Sequence, residues 1–432
     1  MGPPVIHPPP PRRRRPERCA ALLLVLALQS CGVSQQQAND LADGLQNAGP
    51  EQVLGALGKL KAQQRDRSQH LMQSGLLKLL SGDFGGCIQD LETAKQLLAG
   101  VQAISISETL GAVTVNETLR VYAGTPGERV LLHEVLALAF VLQGQLEDAR
   151  VEILQADVLM RTLARGDALD GQVASTRYLG GLVFELIGEW SDAMISYRKA
   201  AEILQQRGQH IPVALQDSLL EISARMGLDA EHADYRAAFG DRGAPLAYSR
   251  GEVIALYWDG IVSRLRQSLL AVYVPELQQT VSLALPYYPA RQANARHLTL
   301  RCATAQAGTQ VLEDVDALAR QDLKAREAAI YAATLARAVA KSQAVRAAQR
   351  DNPYLGILTN MATLLTEVAD TRSWNVLPSS IQVARVPLAP GEDAVTVVGA
   401  GSPGAMTVPV VPGSKNVLLI SSVSQRTFSH AF

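Results

Sequence analysis

Three stretches of the chain carry one spacing of small, turn-forming and bulky residues. In the clearest, Ala174 to Ala200, Gly181 is followed by a turn at Gly188, and then by Trp190, Ala193, Tyr197 and Ala200 at helical spacing. The series recurs as Gly75, Gly82-Asp83-Phe84, Cys87, Leu91 and Ala94. It recurs again as Ala137, Gly144-Gln145-Leu146, Ala149, Ile153 and Ala156. Each stretch reads as two antiparallel helices joined by a tight turn. The small residues sit where two helix backbones approach closely, and the bulky ones fill the gap beside them.

These motifs strongly resemble the tetratricopeptide repeat (TPR), the helix–turn–helix unit of a protein-binding solenoid. Contiguous repeats of that class recur every ~34 residues, whereas the turn glycines here are 62 and 44 apart. Segments are therefore inserted at about 100–127 and 161–173. The first insertion, Ile104 to Gly127, is rich in Thr, Ser and Val and reads as an extended loop with a short strand. Pro212 to Phe239 reads as one or two more helices that seal the array.

Composition suits this reading. Of 432 residues, 47% are hydrophobic but only 5% aromatic, so the core must be aliphatic and Ala-rich, as close-packed helices require. The net charge of −1 hides a basic N-terminus, beyond which 35 basic residues face 40 acidic ones. No electrostatic footprint for nucleic acid is present.

The N-terminus reads as an address. Arg12 to Arg15 precede the apolar run Ala20–Leu28, which is too short to span a membrane and has the polarity of a secretory leader. Leu28-Gln29-Ser30-Cys31 resembles the bacterial lipobox. That resemblance implies a leader at 1–30, lipidation of Cys31, and a polar tether over 31–40. With Gly32 after the cysteine, it further implies sorting to the Gram-negative outer membrane, facing the periplasm. Acyl chains contribute about 0.8 kcal/mol per buried methylene, so several hold a folded domain on a bilayer. Cys87 falls at a small core position of a repeat, and nothing in its spacing from Cys302 supports a disulfide.

After the helical repeats (41–244) the character changes. Glu252 to Tyr257, Val281 to Tyr287, His297 to Cys302, Ile381 to Pro387, Val395 to Val398 and Asn416 to Ser421 read as strands. Val315 to Arg350 and Tyr354 to Val368 read as helices. The expected fold is mainly α, a TPR-like solenoid followed by an α+β domain over 245–432 with a mostly antiparallel sheet. The lipobox, the interrupted repeats, the Gly251-Glu-Val-Ile-Ala-Leu-Tyr257 strand and the Asp370-Thr-Arg-Ser-Trp374 to Arg385 segment together resemble Gram-negative TPR lipoproteins. The likeness implies architecture and address rather than an activity.

Motifs for chemistry are weak. Gly399 to Gly404 matches Gly-x-Gly-x-x-Gly, but Thr407-Val-Pro-Val-Val-Pro412 follows where a phosphate-binding helix is needed. His133-Glu134 lacks the second histidine of a zinc helix. Asp314, Asp316 and Asp322 should be solvated at the start of the long helix. No catalytic residue, metal site or cofactor is expected. The concave face of the solenoid would present Gln69, Gln73, Leu76, Glu134, Leu138, Tyr178, Leu182 and Glu185. Of these, Gln73, Glu134, Tyr178 and Glu185 are the candidate partner-binding residues, suited to a basic or neutral protein segment. Arg372 and Trp374 form either a structural corner or a ligand site. The expected function is thus a non-enzymatic, lipid-anchored scaffold that binds a protein partner, in cell-envelope assembly. The alternative is an enzyme or small-ligand protein with its site in the C-terminal domain.

Overall fold

The computed structural model describes residues 44–432 apart from 46, 108–119, 165–168, 241–250, 276–278, 291–294, 352–367, 400–404 and 425. After α1 (Pro50–Leu57), four helical hairpins follow in order. They are α2 (Arg67–Ser81) with α3 (Phe84–Ser107), α4 (Pro126–Leu142) with α5 (Leu146–Leu163), α6 (Ala174–Ile187) with α7 (Trp190–Gln206), and α8 (Val213–Arg225) with α9 (Asp229–Phe239). The repeat residues do what their sizes dictate. A Cβ on Gly181 would lie 2.5 Å from the Tyr197 ring, so α6 and α7 can pack this closely only around glycine. Gly188 has φ +83° and closes α6, its N–H donating to the carbonyl of Glu185 while Glu189 N–H donates to that of Phe184.

The strands are β1 (Glu252–Asp259), β2 (Arg266–Val274), β3 (Gln279–Tyr287), β4 (Leu298–Arg301), β5 (Gln306–Gly308) and β6 (Gln310–Asp314). After the long helix α10 (Val315–Asp351) come β7 (Ser380–Pro387), β8 (Ala394–Gly399), β9 (Met406–Pro409), β10 (Lys415–Ser421) and β11 (Thr427–Ala431). The main sheet runs β11-β10-β1-β7-β6, with β1 parallel to β10 and the other neighbours antiparallel. A second antiparallel sheet, β5-β4-β8-β9, covers one of its faces. The arrangement is therefore mainly α, with TPR-like hairpins followed by an α+β region of mostly antiparallel strands.

The main sheet lies between two partners, which explains its sequence. Ile254, Leu256, Trp258, Ile381, Val383, Val417 and Leu419 join the core of the helical hairpins. Their alternates Val253, Ala255, Tyr257, Val386, Leu418 and Ile420 join the core under the second sheet. Strands covered on both faces read as continuous apolar runs rather than as an alternation. In register, Leu256 stands between Val383 and Leu419. Each such side chain contributes ~1.5–3 kcal/mol by leaving water. The β2–β3 hairpin stands apart from this stack and packs Val274, Val281 and Leu283 against Ala338 of α10.

Several details differ from the sequence expectation. The first insertion is helical through Ser107, because α3 simply continues, and Tyr122 N–H then donates to the Arg65 carbonyl at 2.8 Å. Strands β2, β5, β6, β9 and β11 are additional. Asp316 and Asp322 are buried rather than solvated, because α10 packs its first turns under the helical region. Asp322 accepts the Gly127 N–H at 2.7 Å, and Asp316 accepts the Ser263 N–H at 2.5 Å. The leader, Cys31, the helix expected over 354–368 (apart from Val368), Gly401 and Gly404 lie outside the described residues.

Two substitutions separate packing from backbone geometry. Gly181→Val should lose ~1–3 kcal/mol in urea unfolding by forcing atoms against Tyr197. Gly188→Ala, whose Cβ meets nothing within 4 Å, should lose ~1–2 kcal/mol through its left-handed φ alone.

Candidate functional site

The inner face of the hairpins is covered by the chain's own C-terminal part. Gln69 Nε2 donates to the Ser373 carbonyl at 2.7 Å, and Gln73 Nε2 donates to Asn375 Oδ1 at 2.8 Å. Glu134 accepts hydrogen bonds from Ser175 Oγ at 2.7 Å and Thr176 Oγ1 at 2.6 Å, tying α4 to α6. Tyr178 is fully buried, its ring centroid 5.3 Å from that of Tyr197. Glu185 is buried against the main sheet. The proposed groove residues therefore do not line an open groove in this conformation. The same apolar and amide-bearing face that could receive a partner receives the sheet.

At the centre of this contact lies a charge cluster. Arg385 of β7 donates through Nη2 and Nη1 to Glu185 of α6 at 2.8 and 3.1 Å. It donates through Nε to Glu252 of β1 at 3.1 Å and through Nη1 to Ser218 Oγ of α8 at 2.8 Å. Lys415 of β10 pairs with Glu185 and, at 3.2 Å, with Glu252. Tyr197 donates its hydroxyl to Glu185 at 2.6 Å. Burial pushes the Glu185 carboxyl up, but Arg385 and Lys415 overcome it and hold the pKa at about 2. Two acids are thus matched by two bases, and the guanidinium fork satisfies partners on three separate elements.

Sequence reasoning did not assign this cluster, although it left a signal. Arg385 is the one charged residue in Ile381–Pro387, and Glu252 leads the apolar run Val253–Trp258. A charge within a strand buried on both faces requires a partner.

The other candidates also make contacts within the chain. Glu134, with no cation against it, is raised by burial to a pKa of about 7, its two hydroxyl donors offsetting only part of the cost. His133 Nδ1 lies 2.7 Å from Glu152, which also accepts from Lys95 at 2.7 Å, joining α3, α4 and α5. Arg372 makes the corner. It donates to Asp370, to Asp66 at 2.9 Å and to the Arg120 carbonyl at 2.9 Å. Trp374 is fully buried, and its backbone N–H donates to Glu128 Oε1 at 2.6 Å. The cavity beside Trp374 holds about 10 Å³, too little for an organic ligand. Cys87 and Cys302 are free thiols. Among the described residues, no group of three or more His, Cys, Asp or Glu could hold a metal ion, and no helix is long and apolar enough to cross a membrane.

No protein-family model matches the chain, and no curated protein matches its sequence. Solved structures do resemble part of it. MamA from Desulfovibrio magneticus is 13% identical over 48% of this chain and 90% of its own, with a TM-score of 0.31. A Rap protein complexed with competence and sporulation factor is 13% identical over 48% and 50%, with a TM-score of 0.30. Kinesin light chain TPR-like repeats from Podosopora anserina are 14% identical over 47% and 91%, with a TM-score of 0.32. Likeness at this level carries no argument about activity or ligand.

The two buried acids make opposite predictions with pH. Glu185 is depressed, so its stabilising contribution is present above the unfolded value of 4.5 and is lost as pH falls toward about 2. Glu134 is raised, so the folded chain binds more protons than the unfolded chain, and stability falls as pH rises from 4.5 to about 7. Glu134→Gln should therefore be more stable than wild type at pH 8, with the gap closing by pH 5 in denaturant titrations. Arg385→Met leaves two buried carboxylates without their main partner. It should cost ~3–5 kcal/mol at pH 7, and the deficit should shrink on acidification as those carboxylates take up protons.

Proposed function

We propose that this chain is a non-enzymatic protein-binding scaffold, held through a lipid on Cys31 at the outer membrane of a Gram-negative bacterium and facing the periplasm, where it serves envelope assembly. Its working surface is the outer face of the hairpins rather than the inner one. One observation carries this reading. Val151, Leu154 and Val158 of α5, together with Ile195 of α7, are 40–58% exposed and recur at the helical spacing of a continuous ridge. Beside the ridge, Ile153, Met160 and Phe184 floor a shallow groove of about 70 Å³. Apolar side chains grouped in this way on a surface whose inner face is already spent suit a partner's amphipathic segment. Asp157, shared by Arg161, Arg177 and Lys199, supplies a polar rim.

Two measurements test it. Cys31→Ser should move the protein from the membrane to the soluble fraction and abolish acyl labelling; retention on the membrane would refute the anchor. A photo-cross-linking residue at Val158 should trap one discrete partner in intact cells, lost in a Val151→Glu/Leu154→Glu double variant that still folds. A partner trapped equally well in that variant would remove the ridge from the proposal.

A further inference from the structure

A second open surface lies on the edge of the charge cluster, far from the ridge in chemistry. The turn between α6 and α7, the end of α8, the start of β1 and the turn before β10 enclose a cavity of about 390 Å³. Its charged lining is Glu185, Glu221, Glu252, Lys415 and Arg225, and its apolar wall is made by Leu186, Ile187, Trp190 and Phe432.

The acids on the polar wall are not equivalent. Glu185 and Glu252 each pair with Arg385 and with Lys415. These two acids and two bases balance. Glu221, on α8, is the acid outside this paired set. It is only 6% exposed and lines the cavity, yet its carboxylate makes no hydrogen bond or ion pair among the described residues. Arg225, one turn further along α8, instead lays its guanidinium 3.9 Å over the Trp190 ring. A carboxylate that is largely buried and has no protein donor offers a ligand's donor a place to bind.

We propose that this cavity binds a small organic amine, its ammonium group paired with Glu221 and its apolar body against Leu186, Ile187, Trp190 and Phe432. An ammonium provides the hydrogen-bond donors and the positive charge that Glu221 lacks; the cluster beneath is balanced, and Arg225, the other cation of the lining, lies over the Trp190 ring. A carboxylate or phosphate ligand would instead meet Glu221 as a like charge. The volume lies within the range of small-molecule sites.

The groups facing Glu221 set a pH dependence. Burial raises its carboxyl to about 7; Arg385 and Lys415 oppose this, while Glu252 and Glu185 reinforce it. The carboxylate that an ammonium requires is therefore formed between pH 6 and 8.

Benzylamine is a suitable probe, with benzyl alcohol as its neutral counterpart and benzoate as its anionic one. Calorimetric titration of the full chain should show saturable binding of benzylamine at least ~10-fold tighter than of either counterpart, as a charge-assisted hydrogen bond requires. The affinity should rise from pH 6 to pH 8, a range over which benzylamine itself stays cationic. Glu221→Gln, nearly isosteric, should reduce the affinity at pH 8 by about tenfold or more and abolish the pH dependence. Equal binding of amine and alcohol by the wild-type protein would overturn the proposal without recourse to any variant. So would absence of saturation up to ~10 mM, or a Glu221→Gln variant that binds as wild type does.

Discussion

The bond set around Arg385 is what the rest of the structure depends on. A single guanidinium, buried to the last few per cent, reaches acids on α6 and β1 and a hydroxyl on α8. It thereby decides which face of the main sheet turns toward the helices, because a one-residue slip of β7 would put Arg385 into the apolar layer under the second sheet. Polar ties around it extend the same constraint. Gln69 and Gln73 reach the segment before β7, Glu313 of β6 accepts the Ala174 N–H at 2.7 Å, and Glu128 holds Trp374. The apolar contact supplies the driving force, which is non-directional. The charged and polar ties give it a register.

That contact changes what a helical-hairpin array means. In an open solenoid the inner face is available to others; here it is a core. Residues that would recognise a partner and residues that bury a sheet have the same character, mixed apolar and amide-bearing with an aromatic at the centre. Tyr178 illustrates the point. It is an aromatic anchor in an interface, but both sides of the interface belong to one chain. The ridge on α5 and α7 and the cavity beside Glu221 lie outside that contact, and they differ in chemistry as a greasy stripe differs from an acidic recess.

Much of this was legible in the linear pattern, and some was not. The hairpins were readable because their helices are local: Gly181, Gly188 and Tyr197 lie within a few turns of one another, and helical periodicity encodes a face directly. The buried strands β1, β7 and β10 were readable as unbroken apolar runs. Strand β2 was not, since most of Arg266–Val274 is exposed and its pattern follows neither a half-buried nor a fully buried strand. Strand β6 and the burial of Asp316 and Asp322 were hidden for a related reason. Their partners, Ser263 and Gly127, are far away along the chain, and an acidic residue at a helix start reads equally well as solvated.

Taken alone, the order of residues determined that three or more helical hairpins form, that a sheet with a continuous apolar core follows them, and that a lipobox-like segment precedes them. Each is a property of short-range spacing, in which a residue's neighbours within one or two turns dictate its conformation. Only the tertiary structure decided that the sheet lies inside the helical array, that Arg385 joins Glu185 to Glu252, and that Glu221 is left over. Glu185 and Arg385 stand 200 positions apart, and no local periodicity records which distant charge will meet which. That choice was made by the requirement that two apolar faces, each unable to remain in water, be closed against each other with the charges between them paired.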